Sequence, residues 1–210
     1  MVSDKFHKPA LFAGTTFDAF PGGEDPAQIS DLAHDTAAAL LLRVRANPDT
    51  EVVDRLVTYT DQNGIDAIAE LWSRAAAHSL PGALWRIYLL RALIRQDPAQ
   101  ASLIFQRGVE MSATIDPVVA GAPMPTGPEE ITELADRILR GLFEGDFAIA
   151  LERAAAFCRL MSAGCTSFAD DAEAVSADRA SELTTRALRF HSLSTEFGGC
   201  ASLWRRESLD

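Results

Sequence analysis

Three side chains that can bind a divalent cation lie within five residues near the N-terminal end. Asp31, His34 and Asp35 are three and four positions apart, so on a helix they would share one face. Carboxylate and imidazole groups are ligands of divalent metals. However, the apolar residues of this stretch repeat on the opposite side, and metal sites in helical bundles project inward from several helices. The pattern therefore favours a solvated face, and we expect no metal and no other cofactor.

The next groups with reactive chemistry are the three cysteines, Cys158, Cys165 and Cys200. They form no C-x-x-C pair and no zinc-ligand spacing, and an odd number of cysteines fits a reducing compartment. Cys158 shares a helical face with apolar residues, which predicts core packing, since a free cysteine behaves as a small hydrophobe. Cys165 follows Gly164, a position that predicts a helix end and a more exposed thiol. Because no basic and apolar leader opens the chain, we expect a cytoplasmic protein.

Motifs for phosphate binding and covalent catalysis do not occur in the sequence. It contains neither a G-x-x-x-x-G-K-[ST] loop nor a G-x-G-x-x-G turn after a strand. The glycines of "AGAPMPTGPEE" precede a helix N-terminus, where anions can bind, but Glu129 and Glu130 already supply negative charge there. No spacing predicts a nucleophile with its base. A non-enzymatic role is therefore favoured, with the enzyme question open.

The stretch "LPGALWRIYLLRALIRQ", residues 80–96, reads as a helix that is apolar on almost every side yet carries three arginines. Arg91 and Arg95 are four apart and share a face, whereas Arg86 lies far around the helix from them. A buried arginine must be paired, or it costs several kcal/mol. The candidate partners of Arg86 are Asp54, Glu70 and the carboxylates of the acidic segment 170–182.

An exposed basic surface is the alternative to internal pairing. The chain carries a net charge of −11, whereas residues 73–108 contain five arginines and one acid. Arg91, Arg95 and Arg107 would then form a stripe suited to an acidic protein partner. The overall acidity disfavours nucleic-acid binding, which depends on clustered basic residues. The arginines also exclude a membrane span here, because each costs about 3 kcal/mol at the bilayer centre.

The elements that must position these residues are predicted from apolar spacing and from capping residues. Apolar residues recur at intervals of three and four, and no alternating strand pattern persists beyond the N-terminal arm. Pairs such as Asp97-Pro98 start helices, and the short connections favour antiparallel hairpins. We therefore predict an all-α fold of about eight helices, either a helical bundle or HEAT-like or tetratricopeptide-like stacking.

The predicted organisation is one helical domain over residues 28–210, with a joint rich in proline and glycine at 113–127. Residues 1–27 form an irregular arm that carries four of the eleven phenylalanines. Disordered tails are poor in aromatic residues. We expect the arm to pack on the helical body, with a partner protein as the alternative.

The last predicted helix, near 177–206, has an apolar seam with heptad spacing. This seam either packs on the body or joins two copies of the chain. Its large members are Leu183, Phe190, Phe197 and Trp204. The pair Gly198-Gly199 lies off the seam and could bend the helix or admit another backbone.

Two resemblances add to these patterns. The segment "ADRILRGLFEGDFAIALER" resembles the turn and second helix of a tetratricopeptide unit, because Gly145, Phe147 and Ala150 match that pattern. It departs at Gly141, where a large aromatic residue is usual, and no period of about 34 residues recurs. The segments "EVVDRLVTYTDQNGIDAIAELWSRAAAHSLPGALWRIYLLRALIRQDP" and "LADRILRGLFEGDF" resemble a group of small actinobacterial helical proteins. Some of these carry automatic names that invoke the RNA polymerase β subunit, but the resemblance implies lineage and no polymerase chemistry.

The function that these observations favour is a non-enzymatic protein-interaction or regulatory module, with a homodimer as one possibility. The second hypothesis is an enzyme or small-ligand binder with a pocket between helices. The candidate lining residues are Tyr59, Trp85, Arg86 and Tyr88. The third hypothesis is nucleic-acid binding through the arginine stripe.

Overall fold

The structure, a computed structural model, describes residues 26–46 and 71–210 of the chain. These residues form an all-α fold without strands, as the apolar spacing predicts. Residues 71–73 are helical, and seven further helices follow the chain order. They are α1 (Pro26–Ala46), α2 (Leu80–Gln96), α3 (Pro98–Met111), α4 (Asp116–Ala120), α5 (Pro128–Glu144), α6 (Phe147–Glu173) and α7 (Ala177–Arg205).

Polar side chains start these helices where the sequence predicts them. The Ser79 hydroxyl accepts the backbone N–H of Gly82 at 3.2 Å, which caps α2. Asp97 ends α2 and also begins α3, where its carboxylate accepts the N–H of Gln100 at 3.0 Å. A side-chain acceptor at this position satisfies an N–H that has no partner within the helix. One residue therefore separates α2 from α3, and the two helices meet in an elbow.

The central element is α6, which packs against α3, α4, α5 and α7. Its small buried residues let these neighbours approach, and its aromatic residues fill the spaces between them. Phe157 stacks on Phe105 of α3, with 5.3 Å between the ring centroids. Phe147 packs against Trp204 of α7 in a tilted arrangement, with 4.4 Å between the ring centroids. Both ring pairs bury large apolar surfaces, which is the main favourable term in folding.

The helices α6 and α7 run in opposite directions along each other. Phe147 at the start of α6 meets Trp204 near the end of α7, and the Ser162 hydroxyl donates to the Ala187 carbonyl at 2.9 Å. The predicted seam faces α6, where Leu183, Phe190 and Phe197 are buried within the chain itself. This placement favours body packing over the self-association alternative, because a second copy cannot reach these side chains.

The predicted helix end at Gly164 is wrong, because α6 continues through this residue to Glu173. Gly164 lies instead at a close crossing with α3. A Cβ atom at Gly164 would lie 2.0 Å from the Ile104 carbonyl oxygen, and one at Gly108 would lie 2.0 Å from that of Leu160. Glycine is required here for contact between two backbones and not for a turn. Gly199 has a related role, since α7 is unbroken and the His78 ring occupies the space of its missing side chain.

The predicted joint at 113–127 contains the short helix α4, which the sequence patterns did not predict. Arg159 of α6 binds the Asp116 carboxylate through two hydrogen bonds of 2.9 and 2.6 Å. These bonds hold the pKa of Asp116 below its usual value, against the opposing effect of burial. At the other end of α4, Arg137 donates to the Gly121 carbonyl at 3.0 Å. Side chains from α5 and α6 therefore hold this segment against the body.

The part of the chain that resembles a tetratricopeptide turn connects α5 to α6. Gly145 ends α5, and the Asp146 carboxylate caps α6 by accepting the N–H of Ala148 at 2.8 Å. A Cβ atom at Gly141 would lie 3.2 Å from that of Ala150, so a large aromatic residue has no room there. A larger side chain at Gly141 would therefore push α5 and α6 apart.

Among residues 26–46 and 71–210, no helix combines the length and the apolar character that a membrane crossing needs.

Candidate functional site

The arginine helix α2 is held by carboxylates of the same chain. The Arg86 Nε atom lies 2.6 Å from Glu196 Oε2 of α7, and its Nη1 donates to the Gly82 carbonyl at 3.0 Å. Internal pairing of Arg86 is therefore as expected. Glu196 lies outside the acidic segment 170–182 that the sequence proposed, and the other two candidates, Asp54 and Glu70, lie outside the described residues. Glu196 lies 110 positions away along the chain, which is why local spacing does not reveal it.

The three arginines of the proposed basic stripe are also paired. Arg91 is only 3% exposed, and its Nε lies 2.6 Å from Asp136 of α5. Arg95 contacts the other oxygen of the same carboxylate at 3.4 Å, and Arg107 contacts Asp171 at 2.8 Å. These contacts correct the stripe hypothesis, because Arg91 is not on the surface and the charges of the other two are already matched.

The proposed pocket around α2 does not have the unpaired arginine that its chemistry needs. The rings of Trp85 and Tyr88 stack on each other with centroids 6.0 Å apart, and both side chains are half-buried. Arg86 between them is bound to Glu196. Tyr59 lies outside the described residues.

The potential metal ligands on α1 do not converge. Asp31 and Asp35 are exposed, and the His34 Nδ1 atom lies 2.7 Å from the Ser30 carbonyl oxygen one turn earlier. Within the described ranges, no group of three or more histidine, cysteine or carboxylate side chains is arranged to hold a metal ion.

The three cysteines are all buried, including Cys165, for which the sequence predicted a more exposed thiol. Its exposure was inferred from a helix end at Gly164, and α6 does not end there. Burial raises the pKa of the Cys158 thiol far above its ordinary value and raises those of Cys165 and Cys200 to about 11. The thiolate is the reactive form of cysteine, so these thiols are protonated and inert at neutral pH.

We expect the native protein to resist thiol-specific reagents. None of the three cysteines should react with a chromogenic disulfide reagent at neutral pH, whereas all three should react at once in concentrated guanidinium chloride. Val175 is highly exposed beyond the end of α6, so a cysteine introduced by Val175→Cys provides the reactive control. Reaction of a native thiol as fast as this control would contradict the buried placement.

One cavity brings a histidine close to several hydroxyl groups. It has a volume of about 370 Å³ and is lined by Ser162, Thr166, Asp170 and His191, among others. The Ser162 hydroxyl donates to the Ala187 carbonyl and the Thr166 hydroxyl to that of Ser162. Neither hydroxyl bonds the His191 ring in the part of the chain that the structure describes, so no activated nucleophile is assembled there.

An open depression lies between the α2–α3 elbow and α7, and we call it the elbow groove. It has a volume of about 730 Å³. Its walls include Leu93, Gln96, Gln100, Glu182, Arg186 and Arg189. Asp97 ends α2 and starts α3, so the chain turns at this residue. The turn forms the side of the groove that faces α7.

The elbow groove is lined by two guanidinium groups of α7, Arg186 and Arg189, and by two carboxylates, Asp97 and Glu182. Arg186 lies over the Phe190 ring at 5.8 Å and donates to the side-chain oxygen of Gln100. Arg189 is exposed. Over residues 26–46 and 71–210, neither arginine contacts a carboxylate, whereas Glu182 in the same wall is bound by Arg179 at 2.7 Å. An incoming anion would therefore meet two cations that no carboxylate of these ranges contacts, while Asp97 caps α3 and Glu182 is bound by Arg179.

A smaller cavity of about 350 Å³ adjoins the groove at Gln100, and we call it the anchor cavity. It lies between α3, α6 and α7. Its apolar walls are Leu103, Ile104, Phe168, Ala172 and Leu183. Leu103 lies exposed at the rim, whereas Ile104 and Leu183 are buried.

The groove arginines, Arg186 and Arg189, were not among the site residues predicted from the sequence. Arg186 and Arg189 are three positions apart in "TTRALRF", which puts them on neighbouring positions of a helix. This spacing is visible in the sequence, but the apolar seam of the same helix is the stronger pattern. The other wall of the groove is the α2–α3 elbow, which lies far away in the sequence. Gln100 of the elbow and Arg186 are 86 positions apart.

Comparison of the chain with protein-family models, curated proteins and solved structures found no match.

Proposed function

We propose that this protein is an interaction module that binds an acidic, amphipathic segment of a partner protein in the elbow groove. The observation that carries the proposal is the pair Arg186 and Arg189, which lie in an open groove without a carboxylate contact among the described residues. The chain is strongly acidic, at −11. Two arginines without a carboxylate contact can bind an anionic group of a partner.

We expect the two arginines to orient a bound acidic segment and to add little to its attraction from a distance. An acidic partner is repelled by the net charge of −11 at a distance and attracted only where the guanidinium groups are close. Arginine binds carboxylates through planar, charge-assisted hydrogen bonds. Arg186 is already positioned by Gln100 and by the Phe190 ring, so it loses little freedom when a carboxylate binds.

The apolar part of the groove supports a protein segment as the ligand. Leu93 is partly exposed on the elbow, and Phe190 and Leu193 contribute apolar surface from α7. Aromatic residues and arginine are enriched at the centres of protein interfaces. A groove between helices that combines apolar surface with charged side chains fits the mode in which an amphipathic helix lies in a groove. The three cysteines are free, which fits a reducing location such as the cytoplasm.

The test is a selection from displayed random peptides of about 16 residues, which as a helix would span about 24 Å. The peptides enriched on the wild-type protein should be acidic. In a fluorescence anisotropy titration, Arg189→Glu should weaken their binding by about tenfold or more, or about 1.4 kcal/mol. The reason is that a cation in contact with the peptide becomes an anion.

The matched control is Arg206→Glu, which makes the same charge change at an exposed residue that ends α7. This control should change binding by less than about twofold, because exposed charges outside the contact contribute little. Enrichment of basic or neutral peptides, no enrichment, or equal losses in the two variants would each refute the proposal.

A further inference from the structure

We infer that the bound segment carries one large apolar side chain, a leucine or an aromatic residue, which enters the anchor cavity about one to two helical turns from the carboxylates bound by Arg186 and Arg189. This inference rests on the proposed function and specifies the partner's sequence pattern. The pattern follows from two adjoining sites of different chemistry, the apolar anchor cavity and the basic wall of the elbow groove.

The polar groups of the anchor cavity are engaged by the chain itself, which leaves its apolar walls for a ligand. Asp171 is bound by Arg107 at 2.8 Å, and the Arg107 guanidinium lies 4.8 Å from the centroid of the Phe168 ring. Arg179 is bound by Glu182 at 2.7 Å. A charged side chain entering the cavity would lose water without finding a free partner among these groups. An apolar side chain is favoured there, because its burial removes apolar surface from water.

The size of the anchor cavity limits what it can hold. At about 350 Å³ it lies at the lower end of the range of about 300–1,000 Å³ for small-ligand pockets. Such a volume has room for one large apolar side chain and is too small for a second helix. Ile104 and Leu183 are buried and supply the floor, whereas the exposed side chain of Leu103 stands at the entrance.

The geometry of α7 sets the distance between the anchor and the carboxylates. Leu183 lines the anchor cavity, and Arg186 and Arg189 follow it by three and six residues on the same helix. At about 1.5 Å per residue, the two arginines lie about 4.5 and 9 Å further along the axis. A helical partner lying along α7 presents its anchor and its carboxylates three to seven residues apart. Gln100 lines both sites, so one continuous segment can occupy them together.

The test uses the peptides enriched by display and a pair of leucine variants. Leu103→Asp places a carboxylate at the cavity entrance, and we expect it to weaken peptide binding by about tenfold or more. The matched control is Leu188→Asp on α7. Leu188 is 63% exposed and Leu103 is 60% exposed, so neither substitution disturbs the core. Leu188 does not line either site. Circular dichroism checks that both variants are folded.

The inference is supported if the enriched peptides share a large apolar residue three to seven positions from their carboxylates and only Leu103→Asp loses affinity. Acidic peptides without such a residue, or equal effects of the two variants, would overturn this inference and leave the proposed function standing. Basic, neutral or no peptides would overturn both. Sedimentation velocity tests whether a second copy of the chain occupies the cavity. A wild-type dimer that Leu103→Asp converts to a monomer would identify the second copy as the occupant and overturn the inference.

Discussion

Replacing Gly164 with alanine is expected to lower the free energy of unfolding by about 3 kcal/mol or more. The new Cβ atom would lie 2.0 Å from the Ile104 carbonyl oxygen, which belongs to a backbone and cannot turn aside. The helices α3 and α6 must therefore separate, and the stacked rings of Phe105 and Phe157 between them lose contact. This cost exceeds the gain of about 1 kcal/mol that alanine brings to a helix interior. Gly108→Ala on the facing helix should behave in the same way.

Two further glycines of the same chain serve as controls for this prediction. Gly198 has no atom within 4 Å of its added Cβ, so Gly198→Ala should raise stability by about 0.5–1 kcal/mol through helix propensity alone. Gly199→Ala meets the His78 ring, an exposed side chain that can move, and should fall between the two cases. Chemical denaturation measures all four variants. A Gly164→Ala protein as stable as Gly198→Ala would contradict the close crossing of α3 and α6.

Removing the carboxylate of Asp136 is expected to cost about 2–3 kcal/mol of stability, whereas removing that of Glu152 should cost less than about 1 kcal/mol. Both carboxylates bind an arginine at close range, Arg91 at 2.6 Å and Arg205 at 2.5 Å. The two pairs differ in burial. Arg91 is 3% exposed and would keep a poorly hydrated charge, whereas Arg205 and Glu152 are 49% and 42% exposed and are solvated without each other.

Denaturant unfolding of Asp136→Ala and Glu152→Ala measures this difference directly. Equal destabilisation of the two variants would show that the burial of Arg91 is not what makes its pair important. The prediction also affects how binding experiments on this protein are designed. A substitution at Arg91 damages the fold, so a lost partner in such a variant says nothing about a binding surface. The exposed Arg189 is the suitable position for a charge reversal.

The fold class and most helix starts follow from short-range information in the sequence. Ser79, Asp97 and Asp146 cap the helices that follow them, because a side-chain acceptor can satisfy an N–H two or three residues later without help from the rest of the fold. The apolar seam of α7 was equally readable, since its spacing matches the helical repeat. These features depend on neighbours within about one or two turns.

The candidate site could not be read in the same way, because its parts come from distant segments. Arg86 binds Glu196 across 110 positions, and the elbow groove joins Gln100 to Arg186 across 86. Which carboxylate pairs with which arginine depends on how the helices pack. The spacing of residues within one helix does not reveal how distant helices pack together. The sequence accordingly left a basic surface at Arg91 open as the alternative to internal pairing, and the structure shows this charge buried and paired.

Gly164 shows most clearly how a local sequence pattern differs from a tertiary contact. In the sequence, Gly164 stands between two stretches with helical spacing. Glycine is common just after the last residue of a helix, so this position predicts a helix end. Only the tertiary structure shows that α3 crosses at this position, with the Ile104 carbonyl in the space of the absent Cβ atom. Local hydrogen bonding and apolar spacing determine the helices, whereas the long-range contacts between them determine which side chains remain available to a partner.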